Sequence, residues 1–301
     1  MTENDRKNDL PSLQWFPGHM KKAQRLIEDN LKLVDIAIEL LDARIPAASA
    51  NPMLAEIIKG KPRLIVLNKS DLADAAMTKR WLAYFRGMGV QACAVDSVKG
   101  QGIKQLVKLA EELARPKTDR FVKDGARPRA ARCMILGIPN VGKSSLINRL
   151  AGAARTKTAD KPGVTRAKQW IKIGSNLDLL DTPGILWPKF EDQSVGLKLA
   201  FTGAINDDIY DREGVVSLLL SVLRSDYPER LKERFKLQEL NDDGTALFEA
   251  IGRKRGCLIK GGLVDFEKAQ QIVLTEFRSG KLGLVTLDHV PTGEERGAQG
   301  V

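Results

Sequence analysis

The chain has 301 residues, of which 43% are hydrophobic and 29% charged, a balance typical of a folded protein long enough for two ordinary domains. Its 48 Lys and Arg against 38 Asp and Glu give a formal charge of +10, which favours polyanionic partners. The most apolar stretch, 215–223, is far shorter than the roughly 20 residues of a membrane-spanning helix, and the polar segment 1–9 does not fit a signal peptide. Three distant cysteines and two histidines argue against a disulfide framework and a zinc site. We therefore expect a cytoplasmic protein with reduced thiols.

Strand-like and helix-like segments alternate along the first half of the chain, after a tail at 1–12 that we expect to be disordered. Predicted strands lie at 36–41, 64–67, 90–95 and 133–136, and predicted helices at 51–59, 77–86 and 103–114. Such alternation is typical of βαβ units around a parallel sheet. Residues 171–180 have the pattern of a hairpin that turns at 174–176.

The alternation of predicted strands and helices is interrupted at two places. Residues 115–132 are rich in Lys, Arg, Pro and Gly, which predicts a basic linker that is either simply solvated or in contact with RNA. From about residue 195 helical spacing predominates, at 215–223, 228–235, 246–256 and 265–277. The predicted fold is therefore α/β, with a mostly parallel sheet at 13–190, a smaller all-α domain at 195–290 and a frayed tail at 291–301.

The segment Gly137–Ser144, the phosphate loop, fits the pattern G-x-x-x-x-G-K-[ST] between a predicted strand and a predicted helix. Its glycines let the backbone N–H groups point at phosphate oxygens, and the helix N-terminus adds partial positive charge. We expect Lys143 to reach the β- and γ-phosphates and the Ser144 hydroxyl to ligate Mg²⁺.

The sequence Asp181-Thr182-Pro183-Gly184 follows another apolar strand. Alone it is also good turn chemistry, but after a phosphate loop it indicates a switch. Asp181 is placed to hold the Mg²⁺ shell, and the Gly184 amide to sense the γ-phosphate.

The segment Asn68–Asp71, the guanine loop, follows the predicted strand 64–67. A carboxylate at Asp71 can accept hydrogen bonds from N1–H and N2–H₂ of guanine, a donor pair that adenine lacks, so the motif predicts GTP rather than ATP. The Lys69 stem can cover the base and Asn68 can brace the loop, while a backbone N–H near Ser97 can donate to guanine O6. By itself the guanine loop is equally consistent with a solvated helix cap.

These motifs are those of GTPases in a shuffled order, because the guanine loop precedes the phosphate loop. The chain resembles circularly permuted GTPases and, more narrowly, the bacterial ribosome biogenesis GTPase A family. The resemblance covers about 13–288 and is carried by Trp15–Met20, Leu41–Pro46, the phosphate loop, Lys254–Gly256 and Phe277–Gly283. The residues expected in the GTP pocket are Asn68, Lys69, Asp71, Ser97, Asn140, Val141, Gly142, Lys143, Ser144, Ser145 and Gly184.

The resemblance implies a GTPase that works with ribosomal RNA and proteins in assembling the large ribosomal subunit and is stimulated by that particle. We also expect a monomer that does not bind membranes. The basic charge suits such a partner, because phosphate contacts dominate binding to RNA. Two other classes stay open: an RNA-binding scaffold that nucleotide merely gates, and a GTPase serving tRNA modification or a membrane surface.

Hydrolysis needs a group that orients water, and Ile185, next to the D-x-P-G motif, cannot do so. Asn140 resembles the Asn of cation-dependent GTPases, which suggests a bound K⁺, although an amide there also braces a loop. The family resemblance places His19 near the active site as a candidate water-orienting residue. Thr165 is the preferred switch residue for Mg²⁺ and γ-phosphate, with Thr156 and Thr158 as rivals.

The helical domain carries a basic cluster that is a candidate RNA-binding site. Basic residues at the end of a helix also suit the helix dipole, so the pattern has a purely structural alternative. The cluster consists of Arg253, Lys254, Arg255 and Lys260.

Overall fold

The computed structural model describes residues 18–125, 127, 129–152, 170–174, 176–180, 192–241 and 243–291. They divide into two compact units. The sheet unit contains the described residues from 18 to 180 together with 288–291, and the helical unit contains those from 192 to 287. The side chains of 18–23 and the predicted tail at 1–12 lie outside the described residues.

A six-stranded sheet forms the first unit, in the order β3-β2-β1-β4-β6-β5. All neighbouring pairs are parallel except the hairpin β5–β6. The strands are β1 (Ile36–Asp42), β2 (Arg63–Asn68), β3 (Gln91–Ala94), β4 (Ala131–Leu136), β5 (Trp170–Ile173) and β6 (Leu177–Leu180). The predicted mostly parallel sheet is thus confirmed, as is the hairpin.

Helices surround this sheet, which is why its central strand is apolar along most of its length. All seven residues of β1 are buried, as expected for a strand in a parallel sheet covered on both faces. The helices are α1 (Gly18–Leu31), α2 (Pro46–Ser49), α3 (Pro52–Ile58), α4 (Ala75–Gly87), α5 (Ile103–Lys123) and α6 (Lys143–Ala151). The helix α1 was not predicted from the sequence, although Ile27 and Leu31 are one turn apart and both pack in the core against α3.

The predicted linker at 115–132 is wrong over its first half, because residues 115–123 are the last turns of α5. Pro116 costs this helix one backbone hydrogen bond. The helix nevertheless continues, and the next residue, Lys117, forms an ion pair with Asp35 at 3.0 Å. Only the residues after Asp124 lead, as a short connection, to β4.

Asp35, just before β1, collects several donors at the amino edge of the sheet. Its carboxylate accepts two hydrogen bonds from Arg129, at 2.7 and 2.9 Å, and one from the Arg132 amide at 2.9 Å. Burial works to raise the pKa of Asp35, but the hydrogen bonds from Arg129, Arg132 and Lys117 outweigh it and lower the pKa to about 2. Asp35 thereby fastens α5 and β4 to the start of β1.

The helical unit consists of α7 (Gln193–Phe201), α8 (Arg212–Asp226), α9 (Pro228–Phe235), α10 (Gly244–Lys254) and α11 (Phe266–Arg278). Four of these helices begin after an Asp whose carboxylate accepts a backbone N–H of the first turn, which fixes where each helix starts. These caps are Asp192, Asp211, Asp243 and Asp265. No helix among the described residues is long and apolar enough to cross a membrane.

After the helical unit the chain returns to the sheet unit, at 288 rather than at the predicted boundary of 290. The buried Asp288 carboxylate accepts the Ala48 N–H at 2.9 Å, and its backbone carbonyl accepts the Trp81 indole N–H at 3.1 Å. Val290 packs on the hydrophobic cluster around Trp81. Residues 288–291 are therefore part of the sheet unit's core packing.

Asp35→Asn should lower the free energy of unfolding by about 2 kcal/mol at pH 7 and by about 1 kcal/mol at pH 3. The reason is that a carboxyl whose pKa is depressed in the folded state stabilises the protein above its unfolded pKa and loses that effect as pH falls through the folded pKa. Urea unfolding at the two pH values measures the difference. The control is Asp29→Asn, whose ion pair with Lys32 is largely exposed and should contribute less than about 1 kcal/mol. An Asp35→Asn effect that is absent at pH 7, or as large at pH 3, would contradict this prediction.

Candidate functional site: a nucleotide pocket at the carboxyl edge of the sheet

The predicted nucleotide-binding segments meet at one edge of the sheet. Strands β1, β2, β3 and β4 are parallel, so their carboxyl ends share that edge, and Asp42 at the end of β1 lies in register with Asn68 at the end of β2. The phosphate loop follows β4. Ligands of open α/β sheets bind outside this edge.

The phosphate loop has a backbone that its glycines make possible. Gly137 and Gly142 have φ values of +154° and +102°. A Cβ at Gly137 would lie 2.5 Å from the Leu40 carbonyl oxygen, and one at Gly142 would overlap the Asn68 amide. Both positions therefore exclude any larger residue, as a loop that closes round an anion requires.

Lys143 opens α6 and is buried against the phosphate loop. Its Nζ donates to the carbonyls of Gly137 at 3.0 Å and Ile138 at 2.7 Å. Ser144 and Ser145 follow it in the first turn of the helix and are exposed. A cation inside the loop and hydroxyls at a helix N-terminus suit a phosphate chain with its metal ion.

Asn68 holds three loops together. Its Nδ2 donates to the Val141 carbonyl at 2.8 Å, and its Oδ1 accepts the Ser97 hydroxyl at 2.5 Å. The Ser97 amide lies 3.3 Å from the same oxygen. A single buried side chain thus joins the guanine loop, the phosphate loop and the loop after β3.

Lys69 and Asp71 present different chemistry on the guanine loop. Lys69, with φ +58°, donates from Nζ to the Asn140 carbonyl at 2.8 Å and forms an ion pair with Asp42 at 3.0 Å. Asp71 is partly exposed, and among the described residues no hydrogen bond or ion pair engages its carboxylate. Its oxygens are therefore available for a ligand with paired donors.

The loop after β3 is fixed mainly by its own residues. Asp96 accepts the amides of Val98 at 2.8 Å and Lys99 at 2.9 Å, and Arg149 of α6 donates to the Ser97 carbonyl at 3.1 Å. The Ser97 amide, the predicted donor to guanine O6, makes one long contact, to Asn68 at 3.3 Å.

Sequence reasoning from the residues alone missed three contributors to this edge: Asp42, Arg44 and Arg149. Asp42 and Arg44 entered only as part of a family resemblance. The available signal was a charged residue that ends a mostly apolar strand, within a segment that carries the family resemblance.

Comparison with known proteins adds to this geometry. A family profile described as "50S ribosome-binding GTPase" matches residues 132–245. Ribosome biogenesis GTPase A of Bacillus cereus is 54% identical over 95% of this chain and 96% of its own length. The corresponding protein of Priestia megaterium is 53% identical over 94% of this chain and 99% of its own.

The chain belongs to the ribosome biogenesis GTPase A family. It is a GTP hydrolase. A crystal structure of GNP-bound YlqF from T. maritima has the same fold, with a TM-score of 0.66 and 28% identity over 89% of this chain and 98% of that one.

Several residues predicted for this member of the ribosome biogenesis GTPase A family fall outside the description. Asp181, Gly184 and Thr165 lie outside the described residues, as do the rival threonines Thr156 and Thr158. His19 is the second residue of α1, but its side chain is not among those described.

The basic cluster of the helical unit divides into engaged and exposed members. Arg255 donates to Glu276 at 2.9 Å and stacks on Phe235, with 4.9 Å from its guanidinium carbon to the ring centroid. Arg253 forms an ion pair with Glu249 at 2.7 Å. Lys254 and Lys260 are exposed. In this family member, Arg255 therefore has a structural role, and the two lysines are the better placed for an external polyanion.

Proposed function

We propose that this chain hydrolyses GTP while bound to the precursor of the large ribosomal subunit, promotes its late assembly, and is stimulated by the particle. The observation that carries the nucleotide part is the junction at Asn68, which ties the guanine loop to the phosphate loop. The ribosomal part rests on family membership and on the formal charge of +10.

The residues of the pocket divide the work on GTP. Lys143 and the backbone of the phosphate loop bind the phosphates, while Asp71 pairs with the guanine edge and Lys69 covers its face. The Ser144 hydroxyl, with Thr165 and Asp181, would hold Mg²⁺, which neutralises charge on the β- and γ-phosphate oxygens when bound.

Hydrolysis requires a water in line with the bond between the γ-phosphorus and the oxygen that bridges to the β-phosphate. The water oxygen bonds to the γ-phosphorus, that P–O bond breaks, and GDP leaves with the electron pair while phosphate takes up the water's proton. Asn140 is proposed to help hold a K⁺ beside the phosphates, and His19 is proposed to orient the water. Gly184 is proposed to sense the γ-phosphate.

Asp71→Asn should change the preferred base from guanine to xanthine. Xanthine carries a C2 carbonyl where guanine carries an amino group, and an Asn amide can donate to that carbonyl while it accepts from N1–H. We expect GTP affinity to fall at least about a hundredfold and XTP to become the better ligand. Competition binding with GTP and XTP measures this. The matched control is Asp74→Asn, which changes the N-cap of α4 and should keep the preference for GTP. An Asp71→Asn variant that still prefers GTP would refute the pocket.

The proposed role of His19 in orienting water is tested by measuring GTP turnover in the presence of large ribosomal subunits. His19→Ala should reduce turnover about a hundredfold or more while GTP affinity changes little, because positioned groups of this kind contribute about 10²–10⁴. His289→Ala, at the other histidine of the chain, is exposed and should retain full turnover. Turnover should also be faster in K⁺ than in Na⁺ at equal ionic strength. Equal rates in the two salts would rule out the cation, and full His19→Ala activity would rule out the histidine.

Association with ribosomal particles is tested by co-sedimentation. The chain should sediment with large subunits in the presence of a non-hydrolysable GTP analogue and much less with GDP. The double variant Lys254→Ala/Lys260→Ala should weaken this association. It should also make the slope of log association constant against log salt concentration shallower by about one for each lost phosphate contact. The double variant Lys104→Ala/Lys108→Ala removes the same charge from exposed positions on α5 and should sediment like the unchanged chain. Equal losses in both variants would reduce the proposed site to non-specific charge.

A further inference from the structure

A buried ion cluster lies beneath the guanine loop and is centred on Asp42. The Asp42 carboxylate accepts the Arg44 Nε at 2.9 Å on one oxygen and the Arg44 Nη2 at 2.7 Å on the other. The Arg44 backbone N–H adds a third bond at 3.0 Å. Arg44 thus grips both carboxylate oxygens and fixes the plane in which they lie.

Lys69 takes the remaining place on this carboxylate. Its Nζ lies 3.0 Å from the same Asp42 oxygen that Arg44 Nη2 contacts, and 2.8 Å from the Asn140 carbonyl of the phosphate loop. The side chains of Asp42 and Arg44 are 1% and 2% exposed, whereas Lys69 is 23% exposed, so the lysine is where the cluster reaches the pocket.

The charge of the cluster requires Asp42 to stay ionised. Burial alone would raise the pKa of Asp42, but the charges of Arg44 and Lys69 and the hydrogen bonds from Arg44 hold it well below its usual range. A buried carboxylate that carries two cations is costly to disrupt, because removing it leaves both cations next to each other without an anion.

Lys69 is a long and flexible side chain, and a base-covering role needs one conformation of it. Contacts at both Asp42 and Asn140 hold its Nζ, so groups of the protein itself order its stem. Ordering a ligand-contacting group in advance removes an entropic cost of binding.

We propose that Asp42 is a positioning residue for guanine recognition: clamped by Arg44, it holds Lys69 as a preformed platform for the face of the base and links that platform to the phosphate loop. This inference rests on the proposed function, because it assumes that a purine occupies the pocket beside Lys69. Asp42 acts through Lys69, independently of the edge-reading Asp71.

The simpler alternative is that the cluster only stabilises the fold. The same strand provides the comparison, because Asp35 at the other end of β1 is an equally buried Asp that holds Arg129 and Lys117. Asp35 and Asp42 are separated by about 23 Å of extended strand, at about 3.3 Å per residue. Asp35→Asn therefore removes a similar ion cluster from the same unit without touching the pocket.

The experiment measures the affinity of the full-length chain for a fluorescent GDP analogue. Asp42→Asn should weaken binding about tenfold or more, chiefly through faster dissociation, whereas Asp35→Asn should stay within about twofold of the unchanged chain. Equal losses in the two variants, or unchanged binding in Asp42→Asn, would overturn the proposal.

A double-mutant cycle shows whether Asp42 acts through the lysine. In a Lys69→Met background, Asp42→Asn should change GDP affinity by less than about twofold, because the group that it positions is gone. Full additivity of the two losses would overturn the proposal. If Asp42→Asn does not fold, the double variant Asp42→Asn/Arg44→Met replaces it, because it also removes the buried arginine charge. This double variant should lose the same GDP affinity in chains that retain Lys69, and no more than about twofold in the Lys69→Met background.

The Asp71→Asn chain separates this inference from the proposed function. If that chain prefers xanthine nucleotides, the pocket stands, and Asp42→Asn should weaken its binding of XDP by the same factor as it weakens GDP binding in the unchanged chain. A loss of affinity for GDP but not for XDP would mean that Asp42 acts on the base edge, and it would overturn the proposal that Asp42 positions Lys69. If Asp71→Asn does not change the base preference, the pocket itself fails, whatever Asp42→Asn does.

Discussion

The parallel register of β1 with its two neighbours is the constraint on which the site depends. It places Asp42 beside Asn68 and brings the phosphate loop, which follows β4, to the same edge. Because side chains at a strand end point according to a two-residue period, a slip of one residue in β1 would turn Asp42 away and put an apolar residue in its place. A slip would also separate Asp42 from Lys69 and Glu39 from Arg63, the cations that lie beside these buried carboxylates in the observed register.

The loops at this edge are tied together by side chains rather than by sequence proximity. Asn68 and Val141 are 73 residues apart and Lys69 and Asn140 are 71 apart, yet each pair is joined by a hydrogen bond of 2.8 Å. The order in which the chain visits the loops is therefore unimportant to the pocket, provided that the strands pair correctly. This explains in physical terms how a guanine loop that precedes its phosphate loop can still form one site.

Sequence reasoning predicted those parts of the molecule that local patterns determine. Apolar runs gave the strands, and helical spacing gave α9 at its observed bounds, Pro228–Phe235. It failed where a long-range contact overrides local composition. The basic stretch after Ala114 has the composition of a linker, but α5 continues through Pro116 and brings Lys117 to Asp35, a residue 82 positions earlier in the chain. In the site, motif spacing identified Lys69 and Asp71 but not the partner of Lys69, because no motif records which buried group lies underneath a loop.

The return of the chain at Asp288 bears on how this protein can be divided for study. The helical unit is inserted within the sheet unit, since residues on both sides of it belong to the same core. Stopping translation before Asp288 would strip the Trp81 indole of its acceptor and the Ala48 amide of its carboxylate, and would uncover the cluster on which Val290 packs. A stand-alone nucleotide-binding fragment would therefore have to include residues 288–291. An engineered linker would have to replace the helical unit and let these residues pack against α4.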